Sequence, residues 1–284
     1  MPETSFLSAL TGSFATSAAQ NPTVAIMEAA YADAGLDCRY LNCEVPAENL
    51  AAAVRGAVAM GWIGFNCSIP HKVAVLEHLD ELAPSAEIIG AVNCVVISDG
   101  RLIGENTDGQ GFVASLRGVT DPAGQHVVVL GAGGAARAIA VETALAGARS
   151  ITVVNRTAER GQALADLIDT RTPSAGRYLP WTPSLHVPHG TGVLINATNI
   201  GFHPMEADMP DVAAESLEPG TVVADVVANP PRTRFLAMAE ERGCVALDGL
   251  GMLVNQAVIA VRLWTGQDVS GAVMRGVLED LFAG

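Results

Sequence analysis

The chain has 284 residues, of which 50% are hydrophobic and 16% are charged, and its formal net charge at pH 7 is −14. This length favours two domains with separate cores. The acidic balance argues against a nucleic-acid partner, because nucleic-acid backbones are bound by concentrated Lys and Arg. No uninterrupted apolar run reaches the ~18 residues of a membrane span, and residues 1–12 show no secretory signal. We therefore expect a cytoplasmic protein without a membrane partner.

The cysteines and the histidines of residues 186–189 give no sign of chemistry. Five cysteines form no CxxC pair, and their apolar neighbours predict core positions. His186 and His189 lie in a proline-bounded stretch without a cysteine or an acidic residue nearby, so we expect no metal. In contrast, Lys72 is the only lysine of the chain. It is either a residual lysine in an arginine-biased sequence or a position that needs a titratable amine.

Strands and helices alternate along the first third of the chain. Asn21 and Pro22 predict an N-cap and a first helical residue, and Gly35 predicts the end of that helix. Asp99-Gly100 predicts a tight hairpin turn. The expected segments are strands over residues 5–10, 38–45, 62–69 and 91–97, helices over 23–34 and 47–60, and a further strand from residue 102. Because a hairpin joins crossover-connected strands, the sheet is expected to be mixed.

A second unit begins near residue 108. It contains a helix and then strands over residues 126–130, 150–155, 193–196 and 221–227, with helices over 135–146 and 158–168. This alternation predicts a doubly wound parallel sheet. Residues 252–264 and 269–282 are helical in pattern, and their position alone allows them to cover either domain.

The first strand of this second unit runs into a glycine-rich turn. Gly131, Gly133 and Gly134, followed by Ala135 and Ala136, give GxGxxA between a strand and a helix, which is the context of a dinucleotide fingerprint. The glycines permit a tight turn and close approach of a pyrophosphate, and the helix N-terminus offers unpaired N–H groups. A glycine-rich connection without a ligand is the alternative. We predict a bound dinucleotide.

The next strand ends in Asn155, Arg156 and Thr157, followed by Arg160. An NAD site needs Asp or Glu here to accept from the ribose 2′-OH, whereas arginine binds phosphate with a fork of donors. The pattern therefore favours NADP. Solvated arginines beside a helix capped by Thr157 would give the same pattern.

Polar residues cluster after the third strand and at the proposed domain boundary. Ser68 and Lys72 follow the strand, and Asn93 and Asp108 come later. Lys72 and Asp108 can pass a proton to or from a substrate hydroxyl while hydride moves at the same carbon. A buried ion pair joining two domains would use the same two residues, and the pattern does not decide between these alternatives.

Several motifs together resemble the shikimate/quinate dehydrogenase family. The family's Asn-x-Thr-x-Pro-His-Lys corresponds to residues 66–72 with serine for threonine, Gly-Ala-Val-Asn-Thr to 90–94 and Asn-Thr-Asp-Gly to 106–109. The glycine turn, Asn-Arg-Thr at 155–157, Asn-Ala-Thr at 196–198 and Asp-Gly-Leu-Gly-Met-Leu-x-x-Gln at 248–256 also correspond. An alternative with a catalytic lysine, a methylenetetrahydrofolate dehydrogenase, lacks the Asn-Thr-Asp-Gly match.

The resemblance implies a role for each matched residue. Lys72 and Asp108 would be catalytic. Substrate contacts would come from Ser68, Asn93, Asp108 and Gln256. Besides the residues already named at the two turns, Thr198, Gly249 and Met252 would contact the cofactor. The C-terminal helices would return to the N-terminal domain.

Two motifs depart from the family, and both concern substrate recognition. The N-terminal Ser-x-Ser-Pro, which holds the substrate carboxylate, has no clear counterpart. Counting back from residues 35–37 places Asn21 and Thr23 there, with Ser13, Thr16 and Ser17 as possible substitutes. The strand that usually reads Asp-x-x-Tyr has Ala228 in place of the phenol.

The sequence thus predicts an α/β protein with a substrate-binding and catalytic domain (residues 1–107 with helices 255–284) and a Rossmann-type NADP-binding domain (108–254). We expect it to interconvert shikimate, or a related cyclic hydroxy acid such as quinate or an aminoshikimate, and its 3-dehydro ketone, as a monomer or homodimer. The alternative is a non-catalytic NADP-binding regulator on the same fold.

Overall fold

The structure, a computed structural model, describes residues 6–282. The chain divides into two units at the boundary between Thr107 and Asp108. The first unit comprises the residues up to Thr107 together with Ala257–Leu281, and the second comprises Asp108–Gln256. Residues 257–281 therefore group with the first unit, whereas residues 249–256 group with the second. The first residue of the predicted N-terminal strand, Ser5, lies outside the described residues.

The first unit is built on a six-stranded mixed sheet with the order β2-β1-β3-β5-β6-β4. Its strands are β1 (Ala9–Ala15), β2 (Cys38–Glu44), β3 (Gly64–Cys67), β4 (Glu81–Leu82), β5 (Cys94–Ser98) and β6 (Arg101–Glu105). Its helices are α1 (Thr23–Asp33), α2 (Leu50–Ala59), α3 (His71–Ala74) and α4 (Pro84–Ile89). β1 runs parallel to β2 and β3, whereas β5 is antiparallel to β3 and β6, so the predicted mixed sheet is confirmed.

The predicted first strand, over residues 5–10, is misplaced, because β1 runs through Thr11, Gly12 and Ser13 to Ala15. These residues have the composition of a loop, but tertiary partners satisfy their polar atoms inside the sheet. The Thr11 hydroxyl lies 2.9 Å from the Tyr31 hydroxyl and donates to the Arg39 carbonyl at 2.8 Å. Buried polar atoms are tolerated where they are hydrogen-bonded.

The signals at helix ends and turns were more reliable. α1 begins at Thr23, one residue after Pro22, and Gly35 has the predicted left-handed conformation with φ +65°. Pro22 rather than Asn21 occupies the N-cap position, although the Asn21 side chain accepts the Thr23 N–H at 3.1 Å. The Asp99-Gly100 turn has positive φ at both residues and joins β5 to β6 as predicted.

The second unit carries a fully parallel sheet with the order β12-β11-β10-β7-β8-β9. Its strands are β7 (His126–Leu130), β8 (Ser150–Asn155), β9 (Ala175–Pro180), β10 (Val193–Asn196), β11 (Val222–Asp225) and β12 (Val245–Leu247). Its helices are α5 (Thr107–Arg117), α6 (Gly134–Leu145), α7 (Ala158–Arg171) and α8 (Arg234–Glu241). This order is that of a Rossmann-type sheet, and the predicted fold class is confirmed.

The remaining helices are α9 (Gly249–Thr265) and α10 (Gly271–Phe282). The C-terminal part of α9 is anchored to the first sheet by Trp264, whose indole N–H donates to the Val95 carbonyl at 3.0 Å. Gly64 leaves the space that this ring occupies, because a Cβ there would lie 2.1 Å from the indole nitrogen. Within residues 6–282, no helix is long and apolar enough to cross a bilayer.

Candidate functional site

The carboxyl ends of the parallel strands β1 and β3 bring polar side chains together in the first unit. Ser13 on β1 lies opposite Asn66 on β3, and both are buried. The Tyr40 hydroxyl donates to Asn66 Oδ1 at 2.8 Å, and Asn66 Nδ2 donates to the Asn93 carbonyl at 2.9 Å. Burial raises the pKa of the Tyr40 phenol well above its usual value. Tyr40 therefore acts as a neutral hydrogen-bonding group at this sheet end.

Asn93, a predicted substrate ligand, is held by the residue that precedes the domain boundary. Its Oδ1 accepts the Thr107 N–H at 2.7 Å, and its Nδ2 donates to the Thr107 hydroxyl at 2.9 Å. Asn93 and Thr107 are both buried. This pair of hydrogen bonds fixes the start of α5 at Thr107, and Asp108 is the next residue along the chain.

Lys72 lies in the short helix α3, directly after a buried histidine. The His71 Nε2 atom lies 2.8 Å from the Val45 carbonyl, so it carries the proton and donates. The Lys72 carbonyl accepts from the Val92 N–H at 2.8 Å. These bonds tie α3 to the segment after β2 and to the segment before β5. The Lys72 side chain is half-buried.

Ser68, the predicted substrate ligand between β3 and α3, is also half-buried. Its N–H donates to the Phe14 carbonyl at 3.0 Å, and its carbonyl accepts from the His71 N–H at 2.7 Å. Both of these bonds use the backbone of Ser68. They fix the backbone of Ser68 next to the carboxyl end of β1.

The N-terminal loop presents Asn21, and Ser13 lies beneath it. Asn21 Nδ2 donates to the Ser13 hydroxyl at 3.3 Å, and Ser13 in turn donates to Asn42 Oδ1 at 3.0 Å. Thr23 is buried in the first turn of α1, whereas Thr16 and Ser17 are exposed. Asn21 and Ser13 therefore share one network, and the suggested substitutes Thr16 and Ser17 lie outside it.

The glycine turn of the second unit is open at its second and third glycines. Gly131 has φ +108°, and a Cβ there would lie 3.0 Å from the Thr198 methyl group. Gly133 and Gly134 are exposed, and a Cβ at either would meet no heavy atom within 4 Å. α6 starts at Gly134 without a side-chain cap, so no side chain satisfies its first N–H groups, which are the groups that bind anions at helix N-termini.

The predicted 2′-phosphate residues lie at the carboxyl end of β8. Arg156, Thr157 and Arg160 are exposed, and the half-buried Asn155 donates from Nδ2 to the Thr157 carbonyl at 2.9 Å. Thr157 is at the N-cap of α7, but its side chain makes no capping hydrogen bond. Beside Arg156 there is a cavity of about 290 Å³, also lined by Trp181, Ile200 and Met209.

A buried carboxylate organises the ends of the neighbouring strands β10 and β11. Asp225 accepts from Asn196 Nδ2 at 2.9 Å, from the Val227 N–H at 3.1 Å and from the Thr233 hydroxyl at 2.7 Å. Burial raises the pKa of Asp225 to about 6, although these three bonds act in the opposite direction. Asn196 also accepts from the Thr198 hydroxyl at 2.7 Å, so one network positions Thr198.

The last predicted site residues lie on α9. Gly249 is buried, and a Cβ there would lie 2.5 Å from the Val227 carbonyl. Met252 is half-buried, and its carbonyl lies close to Gly111 of α5. Gln256 is buried, donates to the Leu253 carbonyl at 3.0 Å and falls at the end of the second unit.

The structure also reveals polar residues to which the sequence assigned no role. Asn42 and Glu44 on β2 bond the N-terminal loop, Tyr40 bonds Asn66, and Asp225 organises two loops. The one signal that the sequence offered was a polar side chain within a predicted strand. No cluster of metal-binding side chains occurs among the described residues.

A Rossmann-type sheet with an open glycine turn, together with a unit that carries a lysine and convergent amides, defines the class of dinucleotide-dependent oxidoreductases. The comparisons identify the family within this class. The family model of the shikimate dehydrogenase substrate binding domain matches residues 15–95. The shikimate/quinate 5-dehydrogenase model matches 115–180, and the shikimate 5′-dehydrogenase C-terminal domain matches 249–279. The chain belongs to the shikimate/quinate dehydrogenase family.

Individual relatives cover nearly the whole chain. The shikimate dehydrogenase (NADP(+)) of Methanopyrus kandleri is 44% identical over 90% of both chains. The ligand-free 5-ketofructose reductase of Gluconobacter sp. strain CHM43 is 59% identical with a TM-score of 0.96, covering 98% of this chain and 100% of that one. The Listeria monocytogenes shikimate 5-dehydrogenase, solved with shikimate and NAD, is 33% identical with a TM-score of 0.92, covering 98% and 99%. The relatedness to NADP-dependent shikimate dehydrogenases confirms the predictions of an oxidoreductase and of NADP as its cofactor.

Proposed function

We propose that the protein is an NADPH-dependent reductase of an uncharged polyhydroxy ketone of the 5-ketofructose type, and that it catalyses the reverse oxidation with NADP. The observation that carries this proposal is the N-terminal loop. Where the family holds a carboxylate with two hydroxyls, this chain presents the Asn21 amide, and the Glu44 carboxylate bonds the same loop. The 59% identity to a 5-ketofructose reductase supports the same substrate class.

NADPH fits the residues of the second unit. Gly131, Gly133 and Gly134 would hold the pyrophosphate, because the turn leaves open space in front of the α6 N-terminus. Arg156 and Arg160 would hold the 2′-phosphate. Bound NADPH supplies the hydride for the carbonyl carbon. We assign the cofactor to residues 108–256 and substrate binding to residues up to 107 together with the C-terminal helices.

In this mechanism Lys72 supplies the proton. Its ammonium donates to the carbonyl oxygen as negative charge develops there, and solvent then reprotonates the amine. Asp108 is the second proposed catalytic residue. The bonds from Asn93 to Thr107 position the backbone that leads into it. Ser68, Asn93 and Gln256 would orient the hydroxyls of the substrate.

Shikimate is the second candidate substrate, because Ser68, Asn93 and Gln256 keep the family pattern and shikimate dehydrogenases are 44% identical. Quinate and aminoshikimate belong to the same carboxylate-bearing class. A non-catalytic regulator is disfavoured because Lys72 and Asp108 are both retained.

A substrate panel tests the proposal. NADPH consumption would be followed with 5-ketofructose, 3-dehydroshikimate and 3-dehydroquinate at equal concentrations, with NADH in parallel. We expect kcat/KM for 5-ketofructose to exceed that for either carboxylate by at least ~100-fold. The reason is that a site discriminates strongly against a substrate that leaves the polar groups of the site unpaired. A preference for 3-dehydroshikimate would overturn the proposal. NADPH binding by calorimetry without turnover of any ketone would favour the regulator.

A further inference from the structure

We infer that Asn42 and Glu44, two side chains of β2, are positioning residues that determine substrate specificity. They hold residues 16–21 so that the Asn21 amide faces an uncharged hydroxyl group, and they disfavour a carboxylate. This inference rests on the proposed function and adds the residues that enforce it. Neither residue belongs to a motif that resembles the family.

The strand register brings the two side chains to the loop. β1 and β2 are parallel, with Ser13 opposite Asn42 and Ala15 opposite Glu44. The loop begins where β1 ends, so the last residues of β2 lie beside it. Asn42 is half-buried and Glu44 is exposed.

The side-chain amide of Asn42 forms hydrogen bonds through both its nitrogen and its oxygen. Its Nδ2 donates to the carbonyls of Ala18 at 3.1 Å and Asn21 at 3.0 Å, and its Oδ1 accepts the Ser13 hydroxyl at 3.0 Å. An amide with two donors and an acceptor meets this set, whereas a carboxylate would place an acceptor against two carbonyls. Asn42 thereby sets the backbone at both ends of residues 18–21.

The same bonds determine what Asn21 can offer a ligand. One Nδ2 hydrogen goes to Ser13, and Oδ1 accepts the Thr23 N–H. The second Nδ2 hydrogen and the second lone pair of Oδ1 find no further partner among the described residues. A hydroxyl, which both donates and accepts, can use both of these positions.

The charge of the loop disfavours a carboxylate ligand. Residues 1–38 contain no lysine, arginine or histidine. The next basic residue, Arg39, is paired with an acidic one, because its guanidinium nitrogen lies 3.6 Å from a carboxylate oxygen of Glu28. Glu44 Oε1 accepts the Ala18 N–H at 3.2 Å, so a negative charge is fixed on the loop. Strong binding of a carboxylate relies on charge-assisted donors, whereas this loop supplies a neutral amide and a like charge.

The test compares the variants Asn42→Ala, Glu44→Gln and the control Glu48→Gln, which removes another exposed carboxylate four residues further on. The KM and kcat for 5-ketofructose, the KM for NADPH and the inhibition constant of shikimate against 5-ketofructose would be measured for each. Asn42→Ala is expected to raise the ketose KM about tenfold, the effect of one misplaced hydrogen-bond donor, with a much smaller change in kcat and in the KM for NADPH.

Glu44→Gln keeps an acceptor for the Ala18 N–H and removes the charge. It is expected to strengthen shikimate inhibition three- to tenfold at low salt, with the gain lost at high salt, whereas Glu48→Gln changes nothing. The inference is overturned if Asn42→Ala leaves the ketose KM unchanged or if the two glutamine variants behave alike. If wild-type protein does not reduce 5-ketofructose, the proposed function fails. The inference is then judged by calorimetry of shikimate and fructose with wild-type and Glu44→Gln protein, and equal shikimate affinities would overturn it.

Discussion

Lys72 is the proposed proton donor of the reaction. It is the only lysine of the chain, and its helix is held by two backbone bonds and by the buried His71. Lys72→Ala is expected to lower kcat by more than ~10²-fold, because a general acid is worth at least that factor. Lys72→Arg keeps the charge but not the titratable amine, and it should also be impaired. Steady-state kinetics at saturating NADPH measure both, and near-normal kcat in either variant would contradict the role.

Arg156 is the residue proposed to bind the 2′-phosphate of NADPH, and it is exposed at the end of β8. Arg156→Ala is expected to weaken NADPH binding about tenfold or more and to leave NADH binding nearly unchanged, since only NADPH carries the 2′-phosphate. Calorimetry with both nucleotides measures this difference, with Arg242→Ala as a control for general loss of positive charge. Equal losses for the two nucleotides would remove the assignment.

The residues that were predictable differ in kind from those that were not. Lys72 and the glycines belong to motifs whose chemistry restricts the residue type, so a short stretch of sequence was enough to propose them. Asn42 and Tyr40 act across strands, bonding residues 21 to 29 positions away. Sequence alone carries no register, and it therefore could not pair Ser13 with Asn42.

At the scale of elements, Asp225 links the ends of β10 and β11. Its pKa is raised from 3.8 to about 6, so the folded state binds this proton more tightly than the unfolded state. The resulting contribution to stability is fully present below about pH 4 and is lost as the pH rises through about 6. Asp225→Asn should remove this fall, which amounts to about 2–3 kcal/mol at ~1.4 kcal/mol per pKa unit. Urea denaturation across this pH range measures it, and an unchanged slope would contradict the raised pKa.

A second prediction at the scale of elements concerns the packing of α9 on β3 and β5. Gly64→Ala would place a Cβ 2.1 Å from the Trp264 indole nitrogen and 2.5 Å from the Val95 carbonyl. We expect a loss of about 2–4 kcal/mol, from overpacking and from the broken Trp264–Val95 bond. Gly56→Ala in α2 is the control, because its Cβ would meet only Met60 at 3.9 Å. That change should stabilise by about 0.5–1 kcal/mol, and similar thermal unfolding of the two variants would refute the packing argument.

Burial decided which elements were predictable. β7, β8 and β10 begin and end at the predicted residues, because strands covered on both faces form apolar runs with sharp ends. Two strands at the edges of the second sheet, β9 and β12, were missed, together with α8. β9 alternates exposed and half-buried residues within a proline-rich stretch, and β12 has only three residues. Their pairing with β8 and β11 depends on contacts that no local pattern encodes.

At the scale of the whole molecule, the sequence proposed a domain boundary near residue 108, whereas it left the position of α9 and α10 open. The proposed boundary rests on the Asn-Thr-Asp-Gly motif at residues 106–109. The hydrophobic pattern of the last helices fits either core, and only the family resemblance implied their place. The Trp264 indole N–H donates to the carbonyl of Val95, 169 residues away in the chain, and no local pattern encodes such a contact.

The last prediction concerns the net charge of −14, because the field of this charge acts on any charged ligand. A negative field repels anions over a Debye length of ~30 Å at 0.01 M salt and ~8 Å at 0.15 M. If the substrate is an uncharged ketone, kcat/KM measured at saturating NADPH should stay constant over this range of salt. The affinity for shikimate, an anion, should rise with salt in the same protein, and less so in Glu44→Gln, where part of the local repulsion is already gone. Titrations with NaCl and KCl at equal ionic strength control for specific ion effects. A kcat/KM for 5-ketofructose that changes with salt as steeply as shikimate binding would show that charge does not separate the two ligand classes.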